Sequence, residues 1–395
     1  MNPCRITGVQ AGANGRLRIG MVTHYMPPHI GGIELVADSL FRIYLAAGCD
    51  VRWIASHAPV TSARREDGRV RVWCWNWLER AVNVPWPVWG AQGVREIARL
   101  VRWADVLHVH DCLYLGSALT VWLARRNGKP VLLSQHIGFA RYRSRILCAL
   151  ERLAYKTLGR KVLHNASHIV FSTPAAQDFV KTLLGEHAVK TSAIAYGVDT
   201  CQFHPPTPDE RAAARRSLGL PHSKRVALFV GRLNKKKGVD LFMEVSRRMP
   251  SRHFFLVGDG PAHPAAAPNL TWIPFVPPES MEMVYQASDA FMLPSQSEGF
   301  PLAVQEAMAT GLPVILPSGE AFTTLLEREG ACLSVARTVE ALCDALRVLW
   351  ETPEVAAAVA SRSRHLMLRD YSLQAMRSHY LELISELAKE AQPSR

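Results

Sequence analysis

No apolar run among the 395 residues approaches the roughly 18 that a membrane span needs, and no apolar core followed by a cleavage site opens the chain. Neither a membrane-spanning segment nor a secretory leader is expected. Paired cysteines are missing as well. Cys4, Cys49, Cys74, Cys112, Cys148, Cys201, Cys332 and Cys343 stand far apart with no C-x-x-C spacing, which excludes a disulfide framework and fits inert thiols in a reducing cytoplasm. Acidic residues are the scarcer charge: 34 Asp and Glu against 46 Lys and Arg leave a formal +12 at pH 7. That balance favours anionic partners, such as phosphorylated substrates, an anionic membrane surface or nucleic acid. Nucleic acid drops out, because no matching motif accompanies the charge. Short-period repeats are absent, and what recurs is a pattern shared by two halves.

With 48% hydrophobic and 20% charged residues the composition is that of an ordinary globular protein, long enough for two domains. Residues 1–16, rich in Gly, Ala and Asn, read as a loose tail. Strands are expected at Leu17–Thr23, Asp50–Ala55, Asp105–His110, Pro130–Ser134 and His168–Phe171, with helices between most of them. Prolines 205, 206 and 208 crowd an extended segment from Tyr196, and then the alternation restarts at Arg225–Val230, Phe254–Val257, Leu270–Phe275, Ala290–Leu293 and Val314–Leu316. Helices close the chain over Val339–Leu349 and Pro353–Lys389. The expected fold is α/β: two doubly wound parallel-sheet domains, residues 17–204 and 205–370, followed by a last helix and tail over 371–395.

Two stretches interrupt the alternation. Arg71–Trp89 holds Trp73, Trp75, Trp77, Trp86 and Trp89, half of the ten tryptophans, either as a packed surface loop or as an aromatic platform. Arg141–Lys161 is a basic amphipathic helix whose apolar positions are Ile146, Leu147, Leu150, Leu153, Ala154 and Leu158. Such a helix packs on its own domain or lies on an anionic membrane surface.

Three constellations carry chemistry. Gly31 and Gly32 follow the first strand and open a helix, an arrangement that lets an anion approach backbone N–H groups, or else a plain tight turn. Gly231, Arg232 and Lys237 follow the first strand of the second half, where fixed cations could hold a diphosphate and neutralise charge building on a leaving group. Glu298 precedes a helix that Pro301 starts and Gly311 ends, and Glu306 lies inside it. Glu306 suits a vicinal diol such as a ribose. Glu298, with the N–H groups of Gly299, Phe300 and Leu302, suits sugar hydroxyls or a phosphate.

Gly231-Arg232-x4-Lys237-Gly238, Gly258-Asp-Gly-Pro261 and Glu298-x7-Glu306 within Glu-Gly-Phe-Pro, in this order, resemble the retaining glycosyltransferases of family 4, which have the GT-B fold. Pro28-x-x-Gly31-Gly32-x-Glu34, the strand into His108-x-His110, and Ser134-Gln135-His136 resemble that family too. The resemblance implies a nucleotide-sugar donor held by the carboxyl domain, an acceptor held by the amino domain, and a last helix crossing back to the amino domain. It implies that Arg232 and Lys237 bind the diphosphate, Glu298 the transferred sugar and Glu306 the ribose, that Gly32 approaches the donor phosphates, and that His136 positions sugar and leaving phosphate. No metal and no other cofactor are implied, and the sequence has no Asp-x-Asp clamp. Retention by same-face attack and retention through an enzyme nucleophile both remain open. The expected activity is hexosyl transfer to a glycan or lipid-linked acceptor, in the cytoplasm or peripheral on the inner face of the membrane. Alternatives are a nucleotide-sugar epimerase or hydrolase on the same fold, or a non-catalytic sugar-nucleotide-binding protein.

Overall fold

A computed structural model describes residues 15–27, 32–56, 65–75, 87–136, 145–172, 174–185, 189–262, 264–296 and 299–391. Its contacts divide the chain into two compact units, Met1–Ala195 with Arg377–Arg395, and Tyr196–Met376. Residues 196–204, grouped with the amino half on composition, fall in the second unit. There Val198 pairs with Ser372 and exchanges backbone hydrogen bonds with Tyr371 and Leu373.

The first unit contains β1 (Arg18–Tyr25), α1 (Gly32–Ala46), β2 (Asp50–Ser56), β3 (Arg65–Glu66), β4 (Arg69–Val72), β5 (Cys74–Trp75), β6 (Val88–Trp89), α2 (Ala91–Trp103), β7 (Val106–His110) and α3 (Leu115–Arg126). It continues through β8 (Val131–Gln135), α4 (Arg145–Ala154), α5 (Arg160–His164), β9 (His168–Phe171), α6 (Pro174–Leu184) and β10 (Lys190–Ala193). Its sheet runs β10-β9-β8-β7-β1-β2-β4-β3, parallel except at β3. Strand order therefore reverses between β1 and β7, the place where such sheets bind ligands beyond their carboxyl ends. β7 and β8 are buried along their whole length, as strands covered on both faces must be.

The second unit contains α7 (Pro208–Ser217), β11 (Val226–Val230), α8 (Val239–Arg248), β12 (His253–Val257), β13 (Leu270–Ile273), α9 (Met281–Gln286), β14 (Ala290–Met292) and α10 (Leu302–Ala309). β15 (Val314–Pro317), α11 (Ala321–Arg328), β16 (Leu333–Val335), α12 (Val339–Glu351) and α13 (Pro353–Asp370) follow. The sheet order β13-β12-β11-β14-β15-β16, all parallel, puts its reversal between β11 and β14. Each unit has its own apolar core.

Three expectations shift in detail. Pro301, expected as the first helical residue, is the extended residue before it, with φ −60° and ψ 136°. Gly311, at φ 73°, ends α10: its N–H donates to Met308 O and that of Leu312 to Ala307 O, a closure that favours glycine. The closing helix is broken at Tyr371–Ser372 into α13 and α14 (Leu373–Glu390), and from Arg377 onward α14 belongs to the first unit. The basic helix is interrupted by a π-turn over Tyr155–Gly159, where buried Tyr155 and Gly159 pack together. Its residues 141–144 lie outside the described residues. Of the tryptophan stretch, residues 76–86 also lie outside. Trp73 and Trp75 meet edge to face and are exposed, while Trp89 donates to Ser56 Oγ and packs on Gly93 and Gly116.

Candidate active site

The carboxyl ends of β11 and β14 carry the first constellation. Gly231 leaves β11 with φ 154°, its N–H donating to Val257 O, and Gly258 beyond β12 has φ 138°. A Cβ on Gly258 would lie 2.0 Å from Gly231 O, so close passage of these two turns requires glycine. Arg232 is exposed and forms no ion pair among the described residues. Lys237 is half-buried and folds back over Gly231, and its N–H donates to Asn234 Oδ1 at 2.9 Å.

This loop is tied to the one after β14. Gly238, at φ 79°, caps α8 and has no room for a Cβ, which would lie 2.2 Å from Pro294 O. Gln296 N–H donates to Lys236 O at 2.9 Å. The Arg337 guanidinium spans both loops, donating from Nε to Pro294 O at 2.8 Å and from Nη2 to Lys235 O at 3.0 Å. The segment of Arg232 and Lys237 and the segment leading to 298 are thus one clamped structure at the strand-order reversal. Glu298 itself lies outside the described residues. Gly299 is exposed, and Phe300 stacks on Phe322 and meets Tyr371 edge to face. Leu302 is partly exposed on the first turn of α10.

Glu306 lies on the second turn of α10, where the Tyr285 hydroxyl donates to its Oε2 at 2.5 Å. Burial raises the pKa of Glu306, and the Tyr285 hydrogen bond opposes the rise. Burial also pushes the Tyr285 hydroxyl well above its ordinary value, with the Glu306 charge adding to the effect, so Tyr285 keeps its proton.

In the first unit a histidine cluster lines the carboxyl ends of β1, β7 and β8. His136 follows β8. Its Nε2 is 2.8 Å from His110 Nδ1, the rings stack at 10°, and its backbone N–H donates to Asp111 Oδ1 at 2.9 Å. Asp111 holds a left-handed conformation, φ 57°, uncommon outside glycine and adopted by aspartate and asparagine more readily than by most side chains. His110 Nε2 is buried with no hydrogen-bond partner among the described residues. His108 lies in a chain: Nδ1 is 3.1 Å from Tyr44 Oη, Nε2 is 2.8 Å from Ser134 Oγ, and Ser134 Oγ is 3.0 Å from Tyr380 Oη of α14. Burial lowers His136 and His108 to about 3, and takes His110 well below the usual histidine value. His24 Nε2 is 3.3 Å from Glu34 Oε1, both buried. Gly32 starts α1, and Gly31 lies outside the described residues.

Two family models match the chain in succession, Glycosyltransferase Family 4 over residues 30–202 and Glycosyl transferases group 1 over residues 224–352. The chain belongs to glycosyltransferase family 4. Among curated relatives, the D-inositol 3-phosphate glycosyltransferase of Mycobacteroides abscessus is 30% identical over 53% of this chain and 50% of its own length. That of Geodermatophilus obscurus is 27% identical over 73% and 68%. The chain spans about half the length of the curated relatives it matches first. Among solved structures, sucrose-phosphate synthase from Thermosynechococcus elongatus has a TM-score of 0.73 at 18% identity, covering 95% of this chain and 100% of that one. HepE from Anabaena, in complex with UDP and glucose, has 0.69 at 15%, covering 94% and 100%. The fold of this family 4 chain is GT-B, two Rossmann-like domains with a last helix returning to the first.

Three residues that shape the sites of this family 4 chain escaped the sequence. Tyr285, Arg337 and Asp111 act through contacts that no spacing foretells. Only the glycine at 238, just ahead of a helix, signals a tight approach.

Proposed function

We propose that the chain is a metal-independent, retaining glycosyltransferase that moves a hexose from a UDP- or GDP-linked donor to a glycan or lipid-linked acceptor in polysaccharide or glycolipid biosynthesis. The observation that carries this reading is the clamped pair of loops beyond β11 and β14, one bearing Arg232 and Lys237 and the other leading to the helix of Glu306. Cations fixed there hold a diphosphate and meet the charge that builds on it as the glycosidic bond breaks, in place of a metal. Glu306 accepts from ribose hydroxyls. Glu298, with the N–H groups of Gly299, Phe300 and Leu302, holds the transferred sugar. Gly31 and Gly32 approach the donor phosphates, and His136 positions sugar and leaving phosphate. The UDP and glucose in HepE support the donor class, and the name of the curated relatives places inositol phosphate among the acceptors to try.

Among the described residues no helix is long and apolar enough to cross a membrane. On α4, however, Ile146, Leu150 and Leu153 form a stripe exposed at 73%, 57% and 58%, with exposed Arg152 on the same helix and Lys156, Arg160 and Lys161 just beyond it. That pairing supports peripheral docking on an anionic cytoplasmic membrane face. Two experiments test the reading. Nucleotide release from UDP-, GDP- and ADP-sugars, with and without acceptors and with EDTA, should depend on acceptor and ignore the chelator; acceptor-independent release at full rate would make the protein a hydrolase. Co-sedimentation with liposomes should require anionic lipid.

A further inference from the structure

We propose that Tyr285 is a positioning residue for nucleotide binding: its hydroxyl pins one oxygen of Glu306 so that the remaining lone pairs of the carboxylate face a ribose diol. The inference rests on the reading of Glu306 as the ribose contact. A glutamate on a helix turns about three side-chain bonds, and nothing in α10 itself fixes its last one. Tyr285 does, from another element. Its ring is fully buried on α9, meets Phe203 edge to face at 5.7 Å and leans on Phe291 of β14 at 6.1 Å, so the hydroxyl is held by packing. Phe203 is fixed in turn, because Arg364 donates to its carbonyl as well as to those of Thr200 and, at the end of α10, Ala309.

The 2.5 Å contact to Oε2 is the hydrogen bond of the Tyr285 hydroxyl among the described residues, and no other carboxylate competes for it. An ionised carboxylate offers about four lone-pair sites. One taken by Tyr285 leaves enough for both hydroxyls of a ribose. The hydroxyl keeps its proton at any working pH and always donates. It also favours the charged form of a carboxylate that burial would otherwise neutralise, and the charged form is the better acceptor for two hydroxyls.

The test is calorimetric binding of UDP and GDP, carrying the tighter one forward beside its 2′,3′-dideoxy form, to wild type, Tyr285→Phe, Glu306→Ala and the double variant. Glu306→Ala should lose about tenfold for the ribonucleotide and almost nothing for the dideoxy form, and Tyr285→Phe about fivefold with the same selectivity. The double variant should match Glu306→Ala, and Tyr285→Phe should raise the donor KM while sparing kcat. Should Tyr285→Phe fail to fold, Phe203→Leu, which loosens the ring and keeps the hydroxyl, should give a smaller ribose-selective loss. A selective loss for Glu306→Ala but none for Tyr285→Phe, or equal losses for both nucleotides in Tyr285→Phe, would overturn the positioning role alone. A Glu306→Ala variant that cannot tell the two nucleotides apart would overturn the ribose contact, and binding of neither nucleotide by wild type would overturn both.

Discussion

Mild acid should destabilise the amino-terminal unit. His108 and His136 are held near 3 by burial, and His110 well below its usual value, whereas in the unfolded chain each titrates near 6.5. The folded state therefore refuses protons that the unfolded state accepts. Stability is complete above about pH 6.5 and falls as pH drops through that value, continuing until the folded cluster itself takes up protons. Each histidine costs about 1.4 kcal/mol per pH unit, hence about 2 kcal/mol at pH 5 and about 6 for the three, against a typical total of 5–15. Tyr44 and Ser134 hydrogen-bond the His108 imidazole, Tyr380 bonds Ser134 in turn, and Asp111 accepts from the His136 backbone N–H. Trp53, Trp73, Trp75, Trp77, Trp86, Trp89, Trp103 and Trp122 all lie in this unit against Trp272 and Trp350 in the other, so tryptophan fluorescence during urea titration reports chiefly on it. Urea midpoints between pH 7.5 and 5 should fall steeply for wild type and less steeply for His108→Gln, which removes one titrating group. A flat wild-type profile, or a variant with the full slope, would refute the account of neutral, buried histidines.

Other perturbations test the carboxyl-terminal unit. Gly258→Ala, whose Cβ would meet Gly231 O at 2.0 Å, should cost at least about 3 kcal/mol in a urea titration followed by circular dichroism. Arg337→Ala, which unclamps Pro294 O and Lys235 O, should weaken a nucleoside diphosphate about tenfold in calorimetry and leave the nucleoside unaffected, with Arg337→Lys only partly restoring affinity. Glu306→Gln should raise the thermal midpoint at pH 8 and leave it unchanged below pH 4. The folded pKa of Glu306 is raised, so the wild-type carboxylate loses stability as pH climbs from its unfolded value through its folded one, and glutamine has no such loss.

Much of this fold is legible because parallel strands covered on both faces must be continuous apolar runs, as Val226–Val230 and Val131–Leu133 are, and because glycine marks the turns where backbones nearly touch. The positions of Arg232 and Lys237 after β11, and of Glu306 within α10, follow from that alternation alone. Less legible are features decided through space. The sequence reads Pro353–Lys389 as helical throughout, and it is the pairing of Ser372 with Val198 that accompanies the break. The π-turn at Tyr155–Gly159 likewise follows packing of two residues that any helix would accept singly. The hydroxyl on Glu306, the guanidinium across two loops and the left-handed Asp111 come from partners 21, 43 and 25 residues away.

The stereochemistry of transfer is the most direct measurement of all. Incubated with a UDP- or GDP-hexose of known α configuration and an accepted glycan or lipid-linked acceptor, the protein should yield a product whose anomeric proton, read by NMR at early times, is also α. A β product, or a free hexose with no product at all, would contradict retaining transfer.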